Sequence, residues 1–339
     1  MEKCCGGCFG DWFLADYIDD SSDEVGECKF CGSRDVKIIS PQELLFHFDS
    51  LFELYEESVD PEATSLESLL REDWGLFEGL GRVKAEKLLA HIFDNLDVFR
   101  CEFLPSQDSE TTAILQWEAF REELKHQRRF FPTNNSEILN LETSFVALES
   151  RATLTVCRAR VCDQGVPFSL DEMGKPPEKL VGNGRANPVG IPCLYVASDA
   201  ATAVAEIRPH KGEIVCVAEF EFRSALSFVD LRDPRKKISP FSLDEEDLRM
   251  VHRNMGYLCR LGGELTMPIL PRTAHLDYLP SQYLCEFIKS CGYDGVVYKS
   301  AMGPGVNYAI FNDSEVSGKD VSLYQVNHVH VESSPFNPL

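Results

Sequence analysis

Gly184-Arg185-Ala186-Asn187-Pro188-Val189-Gly190 is followed by Cys193-Leu194-Tyr195-Val196-Ala197-Ser198 and then by residues 199–210, which carry Glu206 and His210. Glycine and proline mark the first piece as a loop, the apolar run after it as a short strand, and the stretch from Asp199 as a helix. Side chains alternate along a strand, so Tyr195 faces away from Leu194 and Val196. Positions four apart share a helix face, so Glu206 and His210 stand one above the other if the helix reaches that far. Pro209 removes one helix N–H in that last turn. One short unit thus aims a guanidinium, a phenol, a carboxylate and an imidazole at one place. Taken singly, each also fits a structural role: a surface loop charge, a half-buried strand residue, a solvated helix position.

A chain of 339 residues is long enough for two domains of ordinary size. Its 33 Lys and Arg against 55 Asp and Glu give a formal charge of −22. So acidic a chain repels a phosphate backbone, which argues against general affinity for nucleic acid. A local basic pocket for a small phosphorylated ligand remains compatible with that field. No apolar run approaches bilayer length, and the start, Met1-Glu2-Lys3-Cys4-Cys5, lacks a secretory pattern. Thirteen cysteines in this setting predict reduced thiols and a soluble cytoplasmic protein.

Within the first forty residues, Cys5-Gly6-Gly7-Cys8 and Cys28-Lys29-Phe30-Cys31 form two Cys-x-x-Cys pairs. Two such pairs can wrap a zinc ion tetrahedrally. Four thiolates leave no open position, so the metal would be structural. Cys4 could stand in for Cys5, and four unrelated thiols or a redox pair are the other readings. The run Asp19-Asp20-Ser21-Ser22-Asp23-Glu24 is a solvated loop without calcium-loop spacing.

From 41 to 150 apolar residues recur at helical spacing. A first helix is predicted from Pro41 through Tyr55, a second over 83–99, a third over 112–130, and a shorter piece after Asn135-Ser136. This predicts an all-α bundle. After 151 the pattern changes to strands, predicted over 152–160, 193–197, 213–222, 226–231, 295–299, 307–311 and 321–331. Helices are predicted over 199–207, 243–259 and 279–291. The predicted class is α+β: a zinc-binding module (1–40), an all-α helical domain (41–150) and a domain on a mixed, curved sheet (151–330).

The spacing Arg185, Tyr195, Glu206, His210 resembles the core of the RES domain family, with Ala186 where that family's loop has an aromatic. Val156-Cys157-Arg158-Ala159-Arg160 resembles its first strand. Tyr283 to Lys289, Gly292-Tyr293-Asp294-Gly295 and the strand bearing Tyr298 and Ser300 resemble its helix, turn and serine strand. Gly305-Val306-Asn307-Tyr308-Ala309-Ile310-Phe311 resembles its closing strand. The match covers roughly 150–325. It implies an ADP-ribosyltransferase-like fold and a pocket for NAD, cleaved at the nicotinamide–ribose bond. On that resemblance Arg185, Tyr195, Glu206, His210 and Ser300 are catalytic candidates, and Arg158, Asn187 and Asn307 dinucleotide-binding ones. Glu206 would face the developing cation, Arg185 helped by Arg158 would hold phosphate, and Tyr195 would offer its ring and hydroxyl to nicotinamide or ribose. His210 and Ser300 would orient the ligand. The resemblance also implies a toxin or defence effector with a separate antitoxin. Protein ADP-ribosylation and a degenerate, non-catalytic pocket are the alternatives.

Arg121 and His126 resemble the Arg-x4–6-His signature of HEPN ribonucleases. The whole region before 150, with Arg128-Arg129-Phe130-Phe131-Pro132, is more similar to the HEPN-like domains found ahead of RES domains, implying recognition or regulation.

Overall fold

A computed structural model of the chain describes residues 2–94, 100–106, 110–133, 141–152, 155–162, 165–267, 269, 272–330 and 335. The helices in chain order are α1 (Trp12–Ser21), α2 (Leu45–Phe52), α3 (Leu66–Trp74), α4 (Arg82–Phe93), α5 (Glu110–His126) and α6 (Glu142–Ala147), then α7 (Leu170–Met173), α8 (Ala200–Glu206), α9 (Pro234–Lys237), α10 (Glu245–Thr266), α11 (Ala274–Asp277) and α12 (Leu279–Ser290). Contacts divide the chain into two units. One holds residues 1–119, 136–147 and 233–260; the other holds 120–135, 148–232 and 261–339.

The first unit mixes helices with two small antiparallel ribbons, β1 (Val25–Gly26) with β2 (Val36–Lys37) and β3 (Tyr55–Ser58) with β4 (Glu102–Pro105). The helical stretch is therefore not purely α. The helix predicted from Pro41 is three pieces: a 3₁₀ turn (Pro41–Leu44) entered by a Ser40/Glu43 capping box, then α2, then a strand. Tyr55 leaves the helical stripe because β3 pairs with β4 and its phenol donates to Asp73 Oδ2 at 2.9 Å. The same carboxylate oxygen lies 2.9 Å from His252 Nε2, and Trp74 stacks on that imidazole at 5.8 Å. Phe48 packs on Phe9 and Phe241, with centroids 6.1 and 4.9 Å apart. The helix expected over 83–99 stops at Phe93, where Asp94 turns left-handed with φ 47°; residues 95–99 lie outside the described residues. The third helix ends at His126 rather than 130. The piece expected after 135 begins in residues outside the described set and continues as α6.

The second unit is built on an eight-stranded mixed sheet in the order β12-β8-β6-β7-β11-β10-β9-β5. Its strands are β5 (Glu149–Ala152), β6 (Thr155–Val161), β7 (Leu194–Ala197), β8 (Ile214–Phe222), β9 (Leu226–Asp230), β10 (Gly295–Lys299), β11 (Val306–Ile310) and β12 (Val316–Gln325). Among the described residues, β9 and β10 are the one pair of neighbouring strands that runs parallel. The one strand predicted over 152–160 is two, because β5 leaves for the far edge and pairs with β9. The last strand starts at Val316, not 321, since a bulge between Gly318 and Asp320 keeps it paired along all of β8.

Alternation divides the sheet's two faces. Val156, Leu194, Val196, Phe220, Phe228, Tyr308 and Ile310 share one apolar cluster with Met173. Cys157, Ala159, Ala197, Val215 and Val217 share another with Ala203 of α8. Burying such side chains contributes roughly 1.5–3 kcal/mol each for the larger ones. α10 runs seven residues beyond the predicted end, through Gly262-Gly263. A Cβ at Gly262 would stand 2.3 Å from the Leu231 carbonyl oxygen, so only glycine permits this approach. Cys162 and Cys216 form a disulfide, against the expectation of uniformly reduced thiols. Among the described residues no helix is long and apolar enough to cross a membrane.

Candidate functional site

The site is assembled on the α8 face of the second unit. Asp199 caps α8, its carboxylate accepting from the Thr202 N–H at 2.8 Å. Those hydrogen bonds, first Thr202's, hold the Asp199 pKa below the usual carboxylate value. The cap sets the helix over the sheet so that its last residue, Glu206, meets β10 and β11. There Ser300 Oγ donates to Glu206 Oε1 at 2.5 Å and Asn307 Nδ2 donates to the same oxygen at 2.7 Å. Ser300 Oγ in turn accepts the N–H groups of Met302 and Gly303 at 3.1 and 2.8 Å. Among the described residues no donor meets Glu206 Oε2.

The loop that opens with Gly184 is clamped from two sides. From β7, the Tyr195 hydroxyl donates to Asn187 Oδ1 at 2.7 Å and accepts the Ala186 N–H at 2.9 Å. From α12, Gln282 Nε2 reaches the carbonyls of Gly184 and Asn187 at 2.8 and 2.9 Å, and Ser281 Oγ reaches the Arg185 carbonyl at 2.7 Å. A Cβ on Gly184 would stand 2.4 Å from both Tyr195 OH and Asn187 Oδ1. The clamp displays Arg185, whose Nη1 donates to the Met267 carbonyl at 2.7 Å and whose guanidinium lies 5.6 Å from the Tyr278 ring centroid.

Two cavities, of about 310 and 390 Å³, share Arg185, Glu206, Tyr298 and Asn307 in their walls. The smaller is finished by small and apolar residues, Cys157, Ala159, Ala197, Ala203 and Ile207 among them. The larger is finished by Asn183, Arg208, Tyr278 and Met302 among others. Burial pushes the Tyr298 phenol well up, and the neighbouring Glu206 charge pushes the same way. Burial likewise raises Tyr195. An anion with one oxygen held and the other open can stabilise a cation forming in the space it faces.

The structure thus brings Arg185, Tyr195, Glu206, Ser300 and Asn307 together. Tyr195 offers the cavity only its ring, because its hydroxyl holds the loop. Asn187, 4 % exposed, spends its amide on Tyr195 and on the carbonyls of Gly182 and Pro188, so it shapes the loop. Arg158 alternates with Cys157 and Ala159 along β6 and is also in the wall of the smaller cavity. Its guanidinium donates to the carbonyls of Met173 and Gly174, and burial, with Arg160 adding to it, brings its pKa down to about 10. His210 does not stack on Glu206: α8 ends at Glu206 ahead of Pro209, and His210 is exposed in the following turn, outside both cavities. Arg121 forms an ion pair with Glu264 at 3.2 Å, and His126 lies near Glu122 at 3.7 Å.

Tyr298, Gln282, Tyr278 and Arg208 were not found from the sequence. Tyr298 had a signal, since it precedes Ser300 by two positions and shares its face. The others depend on α8, α11 and α12 meeting around the loop, which local patterns do not encode.

Apart from this site, Cys5, Cys8, Cys28 and Cys31 place their sulfurs within 4.8 Å of one another. Cys5 and Cys31 are 3.5 Å apart, Cys8 and Cys28 3.3 Å. A zinc ion with thiolates at about 2.3 Å fits such a cluster. Cys4 is not part of it; its thiol points to the Ile39 carbonyl at 3.8 Å.

A family model described as "RES domain" matches residues 156–331. No curated protein matches the chain. Among solved structures, a chain in the crystal structure of the M. tuberculosis MbcT-MbcA toxin-antitoxin complex is similar, at 13% identity and a TM-score of 0.34, over 56% of this chain and 93% of that one.

Proposed function

The chain belongs to the RES domain family, and from that premise we propose that it consumes NAD by breaking the nicotinamide–ribose bond. What supports this reading most is Glu206, with Oε1 fixed by Ser300 and Asn307 at the junction of two cavities. As the C1′–N bond breaks, its electron pair leaves with nicotinamide, which departs neutral and needs no strong acid. Positive charge then spreads over the anomeric carbon and ring oxygen. Glu206 Oε2 stabilises that cation or grips a ribose hydroxyl. The smaller cavity, with Ala159, Ala197, Ala203 and Ile207 on its apolar side, suits the flat nicotinamide, beside the Tyr195 ring. Arg185 lies in the wall of the larger cavity, where the phosphates would sit, and its remaining N–H donors suit phosphate oxygens.

The attacking group decides the product. Water gives ADP-ribose and a proton, inorganic phosphate gives a phosphorylated ADP-ribose, and a protein side chain gives an ADP-ribosylated protein. Incubating the purified chain with NAD, with and without phosphate, and analysing products separates them. Free nicotinamide in either arm supports the reading; NAD left intact in both overturns it.

The biological role in this reading is a cytoplasmic toxin or defence effector whose cavity a separate antitoxin would block. Residues 1–40, 41–150 and 151–330 would act as metal-holding, recognition and catalytic modules, the middle one HEPN-like. Cys5, Cys8, Cys28 and Cys31 would hold a structural zinc, which cross-links the chain and takes no part in the cleavage.

A further inference from the structure

Arg208 stands two residues past Glu206 and lines the larger cavity together with Arg185. It differs from Arg185 in two respects. Arg185 has one donor committed to Met267 and its plane near Tyr278; Arg208 is exposed, and among the described residues its guanidinium makes no hydrogen bond or ion pair. Arg208 also has φ 48°, the left-handed conformation that follows a helix end and that glycine or asparagine ordinarily occupies. Pro209 comes next, so the helix cannot simply continue there. Non-glycine residues held in this region cluster at ligand sites.

We infer that Arg208 is a second phosphate-contacting side chain of this cavity, held at its wall by the left-handed turn that ends α8, and that it selects ligands by their phosphate charge. The inference rests on the NAD reading of the same site for the identity of the ligand, and on geometry alone for the anion contact. In a chain of formal charge −22, two guanidiniums in one cavity wall supply the local positive field that a pyrophosphate needs. Planar guanidiniums bind phosphate oxygens in pairs, so two together can hold both phosphates of a dinucleotide. Glu206 in the same wall repels those phosphates, which places them toward Arg208 and leaves the carboxylate to the ribose.

The test is calorimetric titration of the full chain with ADP-ribose, inorganic pyrophosphate and nicotinamide riboside, using wild type, R208Q, R208K and R208G. R208Q should weaken ADP-ribose and pyrophosphate by about tenfold or more and leave nicotinamide riboside unchanged. R208K should fall between. R208G relieves the left-handed residue, so it should melt higher than wild type and still lose as much ADP-ribose affinity as R208Q. Equal binding of ADP-ribose and pyrophosphate by wild type, R208Q and R208G overturns the inference and leaves the NAD reading standing. Arg208-dependent binding of pyrophosphate without binding of ADP-ribose upholds the anion contact and removes the NAD reading. An equal loss for nicotinamide riboside, or a wild type that binds neither anion, overturns the inference as well.

Discussion

In residues 5–31 four thiols stand within 4.8 Å of one another, whereas at Glu206 one carboxylate oxygen takes two protein donors and the other, among the described residues, takes none. In the proposed reading, that difference separates a structural centre from a reactive one. Four sulfur donors complete a tetrahedron and leave no place for a substrate. A carboxylate fixed through one oxygen keeps its orientation and its charge while the other oxygen remains available to a ligand. The same contrast recurs around the cavities, where the Tyr195 hydroxyl and the Asn187 amide are consumed by the loop and the Arg208 guanidinium, among the described residues, makes no hydrogen bond or ion pair.

The predictions bear on that contrast. Chelation should have the largest effect, because a structural zinc site carries an apparent binding free energy on the order of 10 kcal/mol. Metal analysis should give one zinc per chain. Treatment with a chelator, or Cys8→Ser, should remove it and lower the melting temperature. A chain that holds no zinc and melts identically after chelation would break the structural half of the comparison. Next, Gly184→Ala forces a Cβ against Tyr195 OH and Asn187 Oδ1, each 2.4 Å away. We expect a stability loss of about 1–3 kcal/mol, read by thermal melting, with a larger loss of NAD turnover as Arg185 moves with its loop. Ser300→Ala and Asn307→Ala each free Glu206 Oε1 of one donor and should lower turnover about tenfold, the value of one hydrogen bond to a charged group.

The smallest effect concerns Asp199. Its capping bonds depress its folded pKa, so their contribution is present above the unfolded value and is lost as pH falls through the folded one. Asp199→Ala should cost about 1 kcal/mol at neutral pH. Asp199→Asn should keep most of the cap and lose its share of the pH dependence below about pH 4. Melting curves against pH for the three proteins measure both.

The loop, the strand predicted over 193–197, α8 and the strands over 295–299 and 307–311 could be read from the sequence because each declares itself locally, by glycine and proline or by the period of its apolar residues. Alternation and helical spacing already aim Arg185, Tyr195 and Glu206 at one place, whereas the parts of Ser300 and Asn307 came from family resemblance. Where reading failed, a long-range contact decided the outcome. Tyr55 fits a helical stripe until β4 pairs with it, and α10 passes two glycines because Leu231 needs the space at Gly262. Arg158 shows the limit most clearly. Alternation puts it opposite Cys157 and Ala159, yet nothing local says which of those faces receives α8. His210 was placed four residues from Glu206 on a helix that Pro209 does not let continue.

The most direct test of the account is nicotinamide release from NAD by Glu206→Gln beside wild type, both confirmed folded by circular dichroism. Glutamine keeps the shape and an oxygen for Ser300 and Asn307 but removes the charge. The account predicts a loss of at least about 10²–10³-fold, the scale of removing one transition-state electrostatic contact. Release at the wild-type rate by Glu206→Gln would contradict it.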